Sequence, residues 1–245
     1  MESFLKSHAG RAHLGLTVAL TCLFSIAAHA QKGDASKVKT ATTRLTTATK
    51  ALGELSALPP EEGIPKELLD GIDGIAVFPD SSSVSLLSSK FMKGYGVMSF
   101  RMEGHWSTPA FYGFVTLTDG WPKLKAGKPA LIVLFRCGSS ADASKRDGMP
   151  FHGESGPVGP LKEGESKKAR HCVDIYTLGD GKLKGITIED DSETKSAIKG
   201  DNNLNEAVFG LKAHEVISGT TPPTGSALPS EITEFQNAVT HLITP

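Results

Sequence analysis

Residues that could act as nucleophiles, bases or metal ligands occur throughout this chain, but their spacing matches no familiar catalytic motif. The Gly-Glu-Ser-Gly segment at 153–156 lacks the Gly-x-Ser-x-Gly spacing of a hydrolase nucleophile elbow. His214 has no second histidine at the spacing of a zinc-protease helix, and the neighbours His171 and Cys172 would point to opposite faces of a strand. Gly-Tyr-Gly at 94–96 stops short of a dinucleotide-binding fingerprint. The sequence therefore predicts a protein that is not an enzyme and holds neither a metal nor a cofactor.

Basic side chains supply the chemistry that remains, because lysine and arginine attract the phosphates of lipid headgroups. Each such cation close to an anionic membrane contributes about 1 kcal/mol to binding. A run of charges is also typical of a solvated surface, which is the alternative interpretation. We expect headgroup contacts from three groups of residues: Lys37, Lys39, Arg44 and Lys50; Lys123, Lys125 and Lys128; and Lys162, Lys167, Lys168 and Arg170.

The overall composition narrows the class of partner. The chain has 245 residues, of which 39% are hydrophobic and 22% charged, as in ordinary globular proteins. Its formal net charge is −1, so it lacks the broad positive field that nucleic-acid binders carry. Nucleic acid is therefore not an expected partner, and an anionic partner must be met by a local basic patch.

The first thirty residues are predicted to be a secretory signal peptide. Lys6 and Arg11 precede an apolar run at 14–28, and Ala-His-Ala at 28–30 is a small-x-small cleavage site. The run is shorter than the roughly 20 apolar residues of a spanning helix, and an uncleaved amino-terminal anchor is the alternative. We expect cleavage near Ala30 and export to the periplasm or the medium, with association to a membrane as part of the function.

Two cysteines, Cys137 and Cys172, follow the predicted cleavage site. An oxidising compartment allows such a pair to form a disulfide. The bridge would close a loop of about 34 residues and stabilise the fold by roughly 3–4 kcal/mol in the chain-entropy model. Two buried free thiols that pack as small hydrophobes are the alternative. A disulfide requires that the two strand-like segments around these cysteines be neighbours.

Residues 35–57 are predicted to form an amphipathic helix. Its apolar residues recur at alternating steps of three and four: Val38, Ala41, Leu45, Ala48, Leu52 and Leu55. The helix either packs against its own domain or lies on a membrane with its lysines at the headgroups. The stripe contains no tryptophan or phenylalanine, which favours packing against the domain.

Strand patterns dominate the rest of the chain. The run at 131–135 is apolar on both faces and should be a central strand, while 75–78, 94–100 and 110–117 also favour strands. Gly-Asp-Gly-Lys at 179–182 is a hairpin signal between strands at 172–178 and 183–188. The polar, glycine-rich segment 138–170 is either a long ordered excursion or a surface loop.

The carboxyl-terminal part is predicted to be helical. A short helix at 202–209 should end at Gly210, and a last helix should begin near Ser230, which can cap it. These patterns predict an α+β fold: a β-rich single domain, mostly antiparallel sheet or barrel-like, with flanking amino- and carboxyl-terminal helices. We divide the chain into a signal peptide at 1–30, the domain at 31–219, and a linker with the packed carboxyl-terminal helix at 220–245.

Several short motifs occur in a characteristic order. They are Gly-Ile-Pro at 63–65, Gly-Ile-Ala-Val-Phe-Pro at 74–79, Gly-Tyr-Gly-Val at 94–97, Pro-Ala-Phe at 109–111, Gly-Pro-Val-Gly at 156–159 and Gly-Ile-Thr-Ile-Glu at 185–189. None is specific alone, but together they resemble the SYLF lipid-binding domain family over roughly 45–220.

The resemblance implies a compact β-rich domain that binds phospholipid and has no catalytic activity. Bacterial members are exported, and the predicted signal peptide is consistent with that branch of the family. In eukaryotic members an amino-terminal amphipathic helix assists binding. This chain departs from the family at 81–87, where serines replace a glycine-rich stretch, in the lysine-bearing loop before residue 131, and at 138–155. These departures put the ligand preference in doubt.

The expected function is non-enzymatic binding of phospholipid at the cell envelope. Basic residues would contact anionic headgroups, and apolar side chains of the helix stripe would insert among the lipid chains or cover them. The alternative is a structural or protein-interaction domain that binds an envelope protein and has no lipid ligand.

Overall fold

The computed structural model describes residues 14–86, 89–102, 104–117, 128–138, 148–161, 171–189, 197–219 and 228–244. Within these ranges, the side chains of residues 14–34, 83–86, 89–91, 117 and 229 are not described. Five helices are labelled in chain order: α1 Leu14–Ser56, α2 Lys66–Leu69, α3 Asn202–Phe209, α4 Ala213–Ser218 and α5 Pro229–Ile243.

The strands build one curled sheet. They are β1 Gly74–Phe78, β2 Ser82–Leu86, β3 Ser89–Met102, β4 His105–Trp106, β5 Ala110–Leu117, β6 Ala130–Phe135, β7 Gly148–Pro150, β8 Glu154–Ser155, β9 Val173–Gly179, β10 Lys182–Gly185 and β11 Ala197–Gly200. The main path runs β10-β9-β6-β1-β3-β5-β11-β7, while β2 and β4 pair with β3 and β8 pairs with β9. The pairing is antiparallel except between β8 and β9. The predicted α+β class, with a sheet-rich domain and helices at both ends, is confirmed. The sheet curls into a half-barrel.

The centre of the sheet is apolar on both faces because both faces are covered. Every residue of β1 and β6 is buried, as the double-sided apolar run at 131–135 predicted. Strand β3 approaches β1 so closely that a Cβ at Gly96 would overlap the Val77 carbonyl oxygen. Glycine is therefore required there by the backbone spacing and not by a turn.

Helix α1 lies on the sheet by means of its predicted stripe. Ala41, Leu45, Ala48 and Leu52 are fully buried, and Leu55 is almost so, in the same core as the strands. The helix begins well before the predicted residue 35. Because the stripe is part of the core, its apolar side chains are not available to lipid in this arrangement, contrary to the expected insertion.

The carboxyl-terminal helix α5 packs beside α1, with Phe235 and Val239 fully buried in the common core. The predicted Ser230 cap is wrong. The helix begins at Pro229 after Leu228, and the Ser230 hydroxyl donates to the Glu231 carboxylate instead of capping a backbone N–H. Proline at the first helical position has a suitable fixed φ and lacks the N–H that a cap would have to satisfy.

Other local expectations are met with shifted boundaries. The 179–182 hairpin forms between β9 and β10, with Asp180 and Gly181 at positive φ as its turn requires. The predicted 183–188 strand is shorter, because β10 ends at Gly185 and Ile188 makes only an isolated bridge to Gly153. Part of the 138–170 segment forms β7 and β8. Strand β7 pairs with β11 at one end of the sheet, and β8 pairs with β9 near the other end.

Candidate functional site

One face of the sheet carries two rows of side chains across β3, β5, β11 and β7, which we call the open face. Directly paired residues in a sheet point to the same side. The first row is Lys93, Val115, Ala197 and Pro150, and the second is Tyr95, Gly113, Lys199 and Gly148. Among the described residues of these two rows, Lys93 and Lys199 are the charged ones, and both are cations.

The open face begins where the covering helices end. The next row on the same side, Val97 with Phe111, is fully buried, and the Phe111 ring stacks on Phe209 of α3 at 5.8 Å between centroids. On the opposite side of β5, Phe114 packs edge-on against Phe78 in the core. The helices thus cover one end of this face and leave the other end in solvent.

Tyr95 and Val115 are unusually exposed for their size, at 55% and 46% of their surface. With Val158 they are the large hydrophobic residues of the described chain that lie in solvent. Lys93 and Lys199, on either side of them, are also exposed. Adjacent exposed apolar groups flanked by cations are typical of surfaces that contact another molecule.

The Tyr95 ring is held in place from two directions. Gly113 lies opposite it on β5, and even a Cβ there would be 3.2 Å from the ring. The Arg44 guanidinium of α1 lies over the ring at 4.7 Å from its centroid, a cation–π contact. Tyr95 therefore presents a fixed edge to solvent and loses little conformational entropy on binding.

Arg44 has a positioning role that the sequence did not predict. Its guanidinium forms an ion pair with Asp201 at 2.7 Å, and its side chain is only 17% exposed. Asp201 also accepts the backbone N–H of Leu204 and so caps α3. The charge of Arg44 is thereby neutralised, and the residue links α1, α3 and the open face.

The other predicted headgroup residues are dispersed. Lys37 and Lys39 are exposed on α1, Lys50 is exposed with Glu54 at 3.7 Å, and Lys128 is exposed just before β6. The structure does not bring these into one cluster with the open face, although Lys39 and Tyr95 line the same groove. The remaining predicted residues, Lys123, Lys125, Lys162, Lys167, Lys168 and Arg170, lie outside the described residues.

Cys137 and Cys172 are joined by a disulfide with Cα atoms 5.2 Å apart. They follow β6 and precede β9, which pair up to Phe135 opposite Val173, so the neighbouring strands required by the prediction are present. Both cysteines are exposed. The disulfide closes one end of this strand pair.

A buried polar cluster lies beside the disulfide. Asp174, fully buried, forms an ion pair with Arg136 and contacts His171 Nδ1 at 3.0 Å, while Arg136 Nη1 donates to the Leu68 carbonyl at 3.3 Å. Burial raises the pKa of the nearby Tyr176 hydroxyl, and the charge of Arg136 opposes the shift. The cluster joins β6, β9 and α2, and the described residues contain no group of three side chains that could hold a metal ion.

Sequence reasoning missed four of the residues that form the open face: Lys93, Tyr95, Val115 and Lys199. Tyr95 could have been singled out from the sequence, because it is a large aromatic residue between two glycines in a strand pattern and no local feature explains its presence. The two lysines are isolated in sequence, and only the strand register places them on one surface.

Comparison with protein-family models, curated proteins and solved structures gave no match for this chain. The SYLF resemblance therefore depends on the ordered sequence motifs. Among the helices within the described ranges, none combines the length and apolar character needed to cross a bilayer.

Proposed function

We propose that this protein is an exported, non-enzymatic binder of anionic phospholipid surfaces and that the open face makes the contact. The observation that carries the proposal is the exposure of Tyr95 and Val115 between Lys93 and Lys199 on a face that the helices leave uncovered. The SYLF resemblance supports the same ligand class, and the signal peptide predicted from the sequence supports the envelope as its place of action.

The residue types suit the boundary between water and lipid. Tyrosine is enriched at membrane interfaces because its ring is apolar and its hydroxyl remains hydrated. Val115 can enter the outer edge of the acyl region beside it. Lys93 and Lys199 would each add about 1 kcal/mol near an anionic surface, so together they account for a factor of about 30 in affinity.

Co-sedimentation with vesicles tests the proposal. The protein should pellet with vesicles that contain phosphatidylglycerol and much less with pure phosphatidylcholine. The double variant Lys93→Gln/Lys199→Gln should bind about 30-fold more weakly, and Tyr95→Ser with Val115→Thr should also weaken binding. Binding should fall at 1 M salt, where the Debye length is about 3 Å.

The matched control changes two exposed lysines at the other edge of the sheet, Lys182→Gln/Lys184→Gln on β10. This variant has the same net charge as the test variant and should bind within about twofold of the wild type, because β10 lies at the end of the strand order opposite to β7 and the open face. Equal losses in both double variants would mean that net charge, and not the open face, governs binding. Equal pelleting of the wild type with neutral and anionic vesicles, or with neither, would contradict the proposal and favour an envelope protein as partner.

A further inference from the structure

A polar groove lies next to the open face, between α1 and the turn that follows β1. Its volume is about 360 Å³, and Tyr95 forms the wall that it shares with the open face. The side chains that give it chemical character are Ser36, Lys39, Thr40, Thr43 and Asp80. Arg44 also borders it, but its charge is paired with Asp201.

The threonine hydroxyls in this groove act as acceptors. Thr40 Oγ1 donates to the Ser36 carbonyl and Thr43 Oγ1 donates to the Lys39 carbonyl, each at 3.0 Å. Because each hydroxyl has one proton, the bonds within the helix leave only oxygen lone pairs for a ligand. These oxygens favour a ligand group that donates hydrogen bonds.

The charges of the groove are mixed. Lys39 on α1 and Asp80 on the turn after β1 are both exposed and line the same space. A purely anionic ligand would meet Lys39 but would also be repelled by Asp80. A ligand with a phosphate at one end and an N–H cation at the other would satisfy both charges and the threonine oxygens.

We propose that this groove binds the phosphoethanolamine headgroup of a phospholipid within such a surface, an inference that rests on the proposed lipid-binding function and adds a zwitterionic headgroup to the anionic lipids that the open face contacts. The phosphate pairs with Lys39, and the primary ammonium donates to Asp80 and to the threonine hydroxyl oxygens. Phosphocholine fits less well because its quaternary nitrogen has no N–H to donate. Phosphoglycerol fits less well because it has no cation for Asp80.

The first test uses soluble headgroups in an NMR titration of the protein. Glycerophosphoethanolamine should shift the backbone amide resonances of residues 36–44 and of Asp80, and glycerophosphocholine and glycerophosphoglycerol should bind about tenfold more weakly. Asp80→Asn and Lys39→Gln should each weaken glycerophosphoethanolamine about tenfold, the effect of losing one charge-assisted hydrogen bond. Asp70→Asn and Lys182→Gln change exposed residues outside the groove and should have no effect.

The second test separates this proposal from the general lipid function. At a constant fraction of phosphatidylglycerol, replacement of phosphatidylcholine by phosphatidylethanolamine should increase vesicle binding. Asp80→Asn should abolish that increase and leave binding to phosphatidylcholine/phosphatidylglycerol vesicles intact.

Equal binding of the three soluble headgroups, or unchanged affinity in both groove variants, would overturn the groove assignment even if the protein binds anionic vesicles. Selective soluble binding without vesicle binding would instead overturn the proposed surface function and retain the groove as a site for the free phosphoethanolamine group.

Discussion

The role of the α1 stripe can be decided by shortening its buried leucines. Leu45 and Leu52 are both fully buried between α1 and the rest of the core. We expect Leu45→Ala and Leu52→Ala each to lower the free energy of unfolding by about 2–5 kcal/mol, the usual cost of removing a buried leucine side chain and leaving a cavity. Neither substitution should alter the open face.

The size of the buried stripe explains why we expect the helix to stay in place. Three leucines at about 2 kcal/mol and three alanines at just under 1 kcal/mol give about 8 kcal/mol for Ala41, Leu45, Ala48, Ala51, Leu52 and Leu55. Release of α1 to a membrane would withdraw this stripe from the core and leave the apolar residues that it covers exposed.

Denaturant unfolding and vesicle co-sedimentation, done on the same samples, separate the two roles of the stripe. If the stripe is core, both variants lose stability but bind vesicles within about twofold of the wild type under conditions where they remain folded. If the stripe inserts into lipid, each variant should lose about 2 kcal/mol of binding, or about 30-fold. Thr46→Ala, at an exposed position of α1, is the matched control and should change neither quantity appreciably. A 30-fold loss of binding in Leu52→Ala would refute our account of α1.

Two further predictions concern the residues that follow β6 and those at the start of β9. Arg136→Met should lower the free energy of unfolding by about 3–5 kcal/mol because it leaves the Asp174 carboxylate buried without its guanidinium, whereas Arg136→Met/Asp174→Leu should recover most of that loss in the same denaturant experiment. If the double variant were no more stable than the single one, packing and not charge would be responsible. Cys137→Ser/Cys172→Ser should lower the free energy of unfolding by about 3–4 kcal/mol through the freed loop, and the reduced wild type should match it. Unchanged unfolding curves would show that the bridge does not form in solution.

Local sequence patterns were sufficient for the elements whose physics is local. The three- and four-residue spacing of apolar residues predicted the buried side of α1, because residues at that spacing share one face of a helix wherever the helix lies. The double-sided apolar run at 131–135 predicted the central position of β6, since such a strand must be covered on both sides. The Gly-Asp-Gly-Lys segment predicted the β9–β10 turn because the turn needs residues that adopt positive φ, as Asp180 and Gly181 do.

The composition of the open face and the groove was decided only by tertiary structure. Lys93 and Lys199 come together because β3 and β11 pair with the two edges of β5, and nothing near either lysine in the sequence encodes that register. Arg44 was predicted to meet headgroups, yet the fold places Asp201 against it and converts it into a support for Tyr95. The sequence by itself determined which segments must be buried, because burial follows from periodicity. Which exposed side chains become neighbours depended on contacts between residues far apart in the chain, and those contacts exist only once the sheet has formed.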